Sequence, residues 1–164
     1  MTSAASTSNQ FRSLLRPILA GGLVAGSLDL TSAFVIYGSG VPRVIAGGVL
    51  GRQAFHGGAG IWVLGVLLHY FIAFIATTTY CLASLKLDFL RRHFVVCGLY
   101  YGISVYLVMN LIVLPLSGLH AAGPFKLYGL LQGLLVHMFL IGLPIAASLR
   151  RLSTQEQLSL EERR

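Results

Sequence analysis

Charged side chains are scarce in this sequence. Of its 164 residues, 10% are charged and 55% are hydrophobic, and the mean hydropathy is +0.78. A typical soluble domain carries about 25% charged residues, so this chain lacks the polar side chains that would cover a water-exposed surface. The scarcity excludes an ordinary soluble globular protein and favours a single membrane domain that comprises residues 1–164.

Cysteines and acidic residues are also few. The two cysteines, Cys81 and Cys97, imply no disulfide framework. Asp29 is the one acidic residue within a long apolar segment, so no pair of carboxylates is available for acid–base or two-metal chemistry. Nucleophile-elbow, zinc-protease and phosphate-loop motifs are absent from the sequence. We therefore expect neither an enzyme nor a resident metal or cofactor.

The sequence does contain four long apolar segments. They lie at about residues 17–37, 61–85, 94–115 and 127–149, and each has the roughly 17–25 residues that a transmembrane helix needs. Residues 1–11 are small and polar, and we expect them to be disordered. The sequence thus predicts an all-α, polytopic membrane protein, a bundle of four transmembrane helices whose main partner is the lipid bilayer.

The basic residues flank these apolar segments and divide unequally between the two sides. Nine lie on one side: Arg12, Arg16, Lys86, Arg91, Arg92, Arg150, Arg151, Arg163 and Arg164. Three lie on the other: Arg43, Arg52 and Lys126. Because lysine and arginine are enriched in cytoplasmic connections, both termini are predicted to be cytoplasmic, with residues 150–164 as a cytoplasmic tail. The same distribution makes nucleic acid an unfavoured partner for a chain of net charge +7.

The first connection, residues 38–60, has a helical character of its own. Pro42 suits a first helical turn, and Gly57 and Gly58 suit a helix end. The segment is too short to cross a membrane, so we expect a re-entrant or interfacial helix on the outer side. Arg43 and Arg52 on this segment are candidates for contact with an anionic solute or a lipid head group.

Asp29 is the most informative residue, because it lies inside the first apolar segment. An aspartate at the bilayer centre costs about 2.5–3.5 kcal/mol, so it must be neutral, paired or turned toward the protein interior. Three other polar side chains, His69, Tyr106 and His137, lie at a similar depth in the other apolar segments. Counted inward from the predicted outer ends, each of the four lies roughly two to three helical turns deep. We expect these four residues to form one polar layer, with Asn110 one turn away from Tyr106.

Glycines share the helix faces of these polar residues. Gly22 and Gly26 precede Asp29 by seven and three residues, and a glycine four residues earlier precedes each of His69, Tyr106 and His137. Small residues at such spacing mark a face that packs against another helix, so the polar layer is expected to point inward. The glycines predicted to pack helices are Gly22, Gly26, Gly65, Gly98, Gly102, Gly129 and Gly133.

Three functions remain open for this layer. Asp–His chains inside helical bundles relay protons in pumps and transporters, so the first is a proton-linked or small-solute-handling protein. The second is a non-catalytic accessory or assembly subunit of a membrane complex or homo-oligomer, in which the polar groups and glycines only pack helices. The third, a minor alternative to the expectation of no cofactor, is a haem or metal held by His69 and His137.

Between His69 and Leu119 the chain resembles the YagU-like bacterial inner-membrane proteins. The residues that carry the resemblance are His69, Tyr80-Cys81 eleven residues on, Gly98, Gly102, and the run Asn110-x-x-Val113-Leu114-Pro115-Leu116-x-Gly118-Leu119. The family often has a histidine where this chain has Asn110. The resemblance covers about a third of the chain and implies a bacterial inner-membrane location and a loose link to acid tolerance, without an established substrate or mechanism.

Overall fold

The structure is a computed structural model that describes the backbone of residues 2–121 and 126–161 and the side chains of residues 13–121 and 126–152. Within those ranges the chain is helical and contains no strand. The helices are α1 (Thr2–Tyr37), α2 (Val41–Leu50), α3 (Ala59–Ala83), α4 (Phe89–Arg92), α5 (Phe94–Val108), α6 (Leu114–Leu116), α7 (Leu127–Val136) and α8 (Leu143–Glu161). A 3₁₀ turn spans Gly51–His56, and two π-helical segments span Met109–Val113 and His137–Gly142.

Four helical stretches are long and apolar enough to cross a membrane. They are Ser13–Tyr37, Ala59–Ala83, Phe94–Leu116 and Leu127–Leu152, here called spans 1 to 4. Many large apolar side chains on them are exposed, for example Leu19 at 55%, Leu67 at 62% and Leu135 at 53%. Such exposure is costly in water but not in lipid. The prediction of an all-helical chain with four apolar spans is confirmed.

Helix α1 begins earlier than the first predicted segment. It starts at Thr2 and carries Pro17 within it, so it includes residues 2–11, for which the composition predicts disorder. The sequence from Met1 to Arg16 contains neither glycine nor proline, and nothing in that stretch stops a helix that begins there. Helix α8 likewise continues beyond the fourth apolar segment to Glu161.

The two sides of the spans are named here by their ends. The terminal side holds Ser13, Ala83, Phe94 and Leu152, and the distal side holds Tyr37, Ala59, Leu116 and Leu127. Helix α1 packs against α3 and against α8, while α5 packs against α8 and the second π segment. Spans 1 and 4 therefore lie at the centre of the arrangement.

The terminal half of the spans is closely packed. Its core consists of Leu14, Ala25, Tyr80, Cys81, Ile141, Ile145, Ala146 and Leu149, all at most 8% exposed. The Tyr80 hydroxyl donates a hydrogen bond to Leu90 O at 3.1 Å, and the Tyr101 hydroxyl donates to Ala76 O at 2.7 Å. Both tyrosines thus use their polar ends on helix carbonyls, which leaves this half without a free buried hydroxyl at either position.

On the distal side, α2 lies across the ends of two spans. The Pro42 carbonyl touches α3 where Gly65 has no side chain, so closely that a Cβ there would overlap it. Near its other end, Gly47 packs on Leu119, and Gly118 N donates to Gly48 O at 2.7 Å. Gly51, with φ of 65°, then ends the helix in a conformation that favours glycine.

The two π segments stand in the same relation to proline. The first ends at Val113, two residues before Pro115, and the second ends at Gly142, two residues before Pro144. Proline has no N–H and displaces the carbonyl four residues earlier. A π-helical turn absorbs that disturbance by widening the hydrogen-bond register, and such turns are frequent at functional sites.

Candidate functional site

The four residues predicted to form a polar layer lie at matching depths in the four spans. Asp29 lies in span 1, and His69, Tyr106 and His137 lie in spans 2, 3 and 4. Each is separated from the distal end of its span by roughly two to three helical turns, which is a depth of about 12–15 Å. The layer therefore lies just to the distal side of the close-packed core.

Asp29 and His69 form a contact between two ionisable groups of the layer. His69 Nε2 lies 4.0 Å from Asp29 Oδ2 and 2.8 Å from Gly26 O. A carbonyl oxygen only accepts hydrogen bonds, so Nε2 carries a hydrogen and donates it to Gly26 O. The Asp29 carboxylate then faces that N–H, and Nδ1 is the ring atom left to gain or lose a proton. The side chains are 12% and 19% exposed, so neither is fully sealed.

His137 extends the layer toward span 3. Its Nδ1 lies 2.9 Å from Gly133 O, and for the same reason this nitrogen must be the donor. Nε2 is then the acceptor nitrogen of the neutral ring. His137 is near enough to Asp29 and His69 to interact electrostatically with both. Spans 1, 2 and 4 thus each contribute one ionisable side chain at this depth.

Tyr106 completes the layer from span 3. It is 3% exposed, and its ring meets the His137 ring edge-on with centroids 5.2 Å apart. The ring also packs on Gly133, where a Cβ would lie 3.2 Å from the hydroxyl oxygen. This hydroxyl has no hydrogen-bond partner in the described part of the chain, in contrast to those of Tyr80 and Tyr101.

Asn110 does not join the layer through its side chain. Its Nδ2 donates to Tyr106 O at 2.9 Å, on its own helix. The geometry matches that of His137 and Gly133: at the start of each π segment, a side chain donates to the carbonyl four residues earlier. Each of these carbonyls also accepts a backbone N–H, from Met109 at Tyr106 O and from His137 at Gly133 O. The side chain therefore adds a second hydrogen bond where the π segment begins.

The predicted packing glycines meet different kinds of neighbour. Gly22 and Gly26 lie against the rings of Phe74 and Tyr70, and Gly133 lies against Tyr106. Gly98 and Gly102 instead contact backbone, at Gly142 and His137 respectively. Gly65 is away from the layer, on Pro42 of α2. Gly129 is half-buried in α7.

Arg43 and Arg52 are placed differently on the distal segment. Arg43 is half-buried, and its Nε donates to Gly57 O at 3.2 Å, which ties α2 to the start of α3. Arg52 is exposed on the 3₁₀ turn. The two side chains therefore do not have the same freedom to reach a solute or a head group.

The geometry does not favour a haem or a metal at the two histidines. The Tyr106 ring packs against the His137 ring, with centroids 5.2 Å apart, and so occupies space beside that imidazole. For His69, Nε2 is engaged with Gly26 O, so Nδ1 is the ring nitrogen left for a metal. Over residues 13–121 and 126–152, no group of three or more His, Cys, Asp or Glu side chains is arranged to hold a metal ion.

Two features of the site were not predicted from the sequence. One is Gly142, whose backbone contacts Gly98 and Gly102; its position two residues before Pro144 was the available signal. The other is the hydrogen bond of 2.9 Å between Ser27 Oγ and Tyr70 Oη, on the exposed side of α1 and α3. Ser27 lies two residues before Asp29, and Tyr70 directly follows His69. Their positions beside two residues of the predicted layer were the available signal for this hydrogen bond.

Comparison with known proteins identifies no relative: no protein-family model matches the chain, and no curated protein and no solved structure is significantly similar to it. The fold and the site together define a multi-pass α-helical membrane protein with an Asp–His contact inside its spans.

Proposed function

We propose that this protein moves protons, alone or with a small solute, through the layer of Asp29, His69 and His137. The observation that carries the proposal is the 4.0 Å separation of His69 Nε2 and Asp29 Oδ2 within the spans. At that distance the charge on one group strongly alters the proton affinity of the other, so protonation of Asp29 and protonation of His69 are linked. Without such a function, an ionisable pair at this depth would only add to the free-energy cost of inserting the protein into the membrane.

The chemistry available is proton exchange between two sites. His69 keeps the hydrogen on Nε2, which donates to Gly26 O, and a second proton enters at Nδ1 or at the Asp29 carboxylate. His137 offers Nε2 as a third site nearby. A proton that arrives at one member raises the cost of a second proton elsewhere in the layer. The three groups therefore act as one unit that holds a variable number of protons.

Access to this unit is proposed from the distal side. The layer lies about two to three helical turns from the distal ends. In this conformation the core around Tyr80 and Leu149 closes the terminal half, so release of protons on that side requires this core to open. With both termini in the cytoplasm of a bacterium, as the distribution of lysine and arginine predicts, the layer faces the periplasmic half of the inner membrane. The YagU-like resemblance agrees with that location and with a role under acid stress.

In this proposal α2 is an interfacial helix over the distal ends of spans 2 and 3. Val44, Val49, Leu50 and Phe55 on α2 and the 3₁₀ turn are exposed by 39–69%, as expected for a surface that rests in the lipid interface. Its inner face holds Pro42, Ala46 and Gly47, which are buried. Arg52 is then free to contact a lipid phosphate, and Arg43 contributes mainly to the junction with α3.

The experiment is a proton-flux measurement in proteoliposomes that carry a pH-sensitive dye. Asp29→Asn removes the charge and keeps the size, and we expect it to abolish flux driven by an external acid pulse while insertion and folding stay intact. Asp88→Asn is the matched control, because Asp88 is exposed in the link between α3 and α4, and it is expected to leave flux unchanged. Equal flux in wild type and Asp29→Asn would disprove the proposal.

A second candidate is an assembly subunit, and one observation favours it. The Ser27–Tyr70 hydrogen bond lies on the exposed side of spans 1 and 2, where polar groups are better accommodated by a protein partner than by lipid tails. That partner would be a second copy of this chain or another membrane protein. In this role Asp29→Asn would be tolerated, and a change at the Ser27–Tyr70 surface would disrupt the complex.

A further inference from the structure

We infer that the Tyr106 hydroxyl binds a water molecule and that this water is the route by which protons from the distal side reach His137 and the Asp29–His69 pair. The inference rests on the proposed function, since it identifies how that site is supplied. The inferred water site is lined by Tyr106, His137 and Gly133, and protons enter it from the distal side.

The Tyr106 hydroxyl is buried, and no described residue accepts a hydrogen bond from it or donates one to it. Buried hydroxyls without a partner are rare, since desolvation without a hydrogen bond is unfavourable. Buried water is the usual partner where several polar groups converge. An intramembrane tyrosine used only for packing would be better served by phenylalanine.

Two residues of span 4, His137 and Gly133, pack against Tyr106. The Tyr106 ring packs edge-on against His137, whose Nδ1 is engaged with Gly133 O and whose Nε2 is not. Gly133 packs closely on the Tyr106 ring, because a Cβ there would overlap the ring and lie 3.2 Å from the hydroxyl oxygen. In this inference the water hydrogen-bonds to the Tyr106 hydroxyl, and its second partner is the open nitrogen of the His137 ring, which packs against Tyr106. These are the partners that a buried water needs.

The direction from which protons reach Tyr106 follows from what lies on each side of it. Tyr106 lies ten residues from Leu116, the distal end of span 3. Toward the terminal side, the next tyrosine of α5 is Tyr101, whose hydroxyl is tied to Ala76 O at 2.7 Å. On the terminal side of Tyr106 the tyrosine hydroxyls of the core are engaged in hydrogen bonds and the side chains are closely packed, so the distal side is the direction of access.

The wild-type protein allows a direct test in lipid bilayers. Tyrosines labelled with ¹³C at Cζ are observed by solid-state NMR after magnetisation transfer from water. We expect the Tyr106 signal to build up about tenfold faster than that of Tyr101, a ratio that corresponds to ~1.4 kcal/mol. Tyr101→Phe and Tyr106→Phe assign the two signals. A Tyr106 signal that builds up as slowly as that of Tyr101 would overturn the inference.

A second measurement follows the proton rather than the water. The infrared carbonyl band of the protonated Asp29 carboxyl, assigned with Asp29→Asn, is recorded after an acid jump outside oriented vesicles. Tyr106→Phe is expected to slow the appearance of this band by about tenfold, or ~1.4 kcal/mol in activation free energy, and Tyr101→Phe to leave it unchanged. An unchanged rate in Tyr106→Phe excludes the route.

The two measurements separate this inference from the proposed function. If the Asp29 band never appears in wild type while Tyr106 exchanges magnetisation with water, the proton function fails and the hydration site stands without it. If the Asp29 band appears at the same rate in wild type and Tyr106→Phe, the proton function stands and the route through Tyr106 fails.

Discussion

Gly102 lies against the backbone of His137 so closely that a methyl group on Gly102 would overlap the His137 carbonyl oxygen. This contact joins span 3 to the start of the second π segment, and Gly98 and Gly142 form a similar contact one turn further. Since lipid tails are as apolar as the side chains, close backbone packing is a main source of helix association in membranes. The polar layer is thus held by backbone contacts at the same place where the helix register changes.

Gly102→Ala is expected to destabilise the protein and to displace His137. The added methyl group must push α5 and the π segment apart, and overpacking of this kind costs about 1–3 kcal/mol. The free energy of unfolding in bilayers, measured by steric trapping, tests this. Gly60→Ala is the control, because no atom lies within 4 Å of a Cβ at Gly60. Similar stabilities for the two variants would contradict the packing role of Gly102.

Asn110→Leu should weaken the first π segment, whereas Asn110→His should preserve it. The amide donates to Tyr106 O, and loss of one such bond costs about 0.5–1.5 kcal/mol. A histidine can replace it, because His137 makes the same bond to Gly133 O at the second π segment. Thermal unfolding of the three proteins in nanodiscs is the measurement. Ser104→Ala serves as a control, since the exposed Ser104 hydroxyl only donates to Tyr100 O within an ordinary turn.

The Asn110→His variant also separates the effect of the side-chain hydrogen bond from that of Pro115. If leucine and histidine are equally destabilising there, the side-chain bond to Tyr106 O does not hold the π segment, and Pro115 alone explains it. If histidine restores the wild-type stability, the two π segments share one structural rule.

The sequence predicted the spans better than their interior geometry, and the reason is physical. Hydropathy over about 20 residues reports how much apolar length a helix has, and it located four spans whose distal ends lie at Tyr37, Ala59, Leu116 and Leu127. A π segment differs from an α-helix by a shift in backbone hydrogen bonding, which leaves hydropathy unchanged. Pro115 and Pro144 were the local signals that could have indicated it.

Contacts between spans were only partly predictable. Depth counting placed Asp29 and His69 in one layer, and they lie 4.0 Å apart. Glycine spacing indicated packed faces but could not say which neighbour each glycine meets. Gly65 meets Pro42 in the distal segment instead of another span, because the first connection folds back over α3. Such a return depends on tertiary contacts of α2, which no local pattern encodes.

Asp29 and His69 should be energetically coupled. In a double-mutant cycle with Asp29→Asn and His69→Gln, residues in contact give interaction free energies of about 0.5–3 kcal/mol. We expect a value in that range for this pair, from unfolding free energies in bilayers. A parallel cycle of Asp29→Asn with His56→Gln is the control, because His56 is exposed on the 3₁₀ turn. Additive effects within the Asp29–His69 cycle would show that the 4.0 Å contact contributes nothing.

The exposed Ser27–Tyr70 pair predicts a protein neighbour. A photoreactive amino acid at Ser27, in bilayers that hold this protein alone, is expected to give a cross-linked dimer, since lipid offers these hydroxyls no hydrogen bonds. The same amino acid at Leu67, which is 62% exposed, should react with lipid. Denaturing gels and mass spectrometry distinguish the two products. Only lipid adducts from both positions would exclude a homo-oligomer through this surface.

The orientation of the protein in the membrane can be tested with reporter fusions. The side with both termini carries nine of the twelve lysines and arginines, and positive charge in short connections keeps them cytoplasmic. Green fluorescent protein fused after Arg164 should therefore fluoresce, and alkaline phosphatase at the same position should be inactive. Alkaline phosphatase inserted after Ala121, in the connection between spans 3 and 4, should be active. The reverse pattern would place the Asp29–His69 pair nearer the cytoplasm, and protons would then reach it from inside the cell.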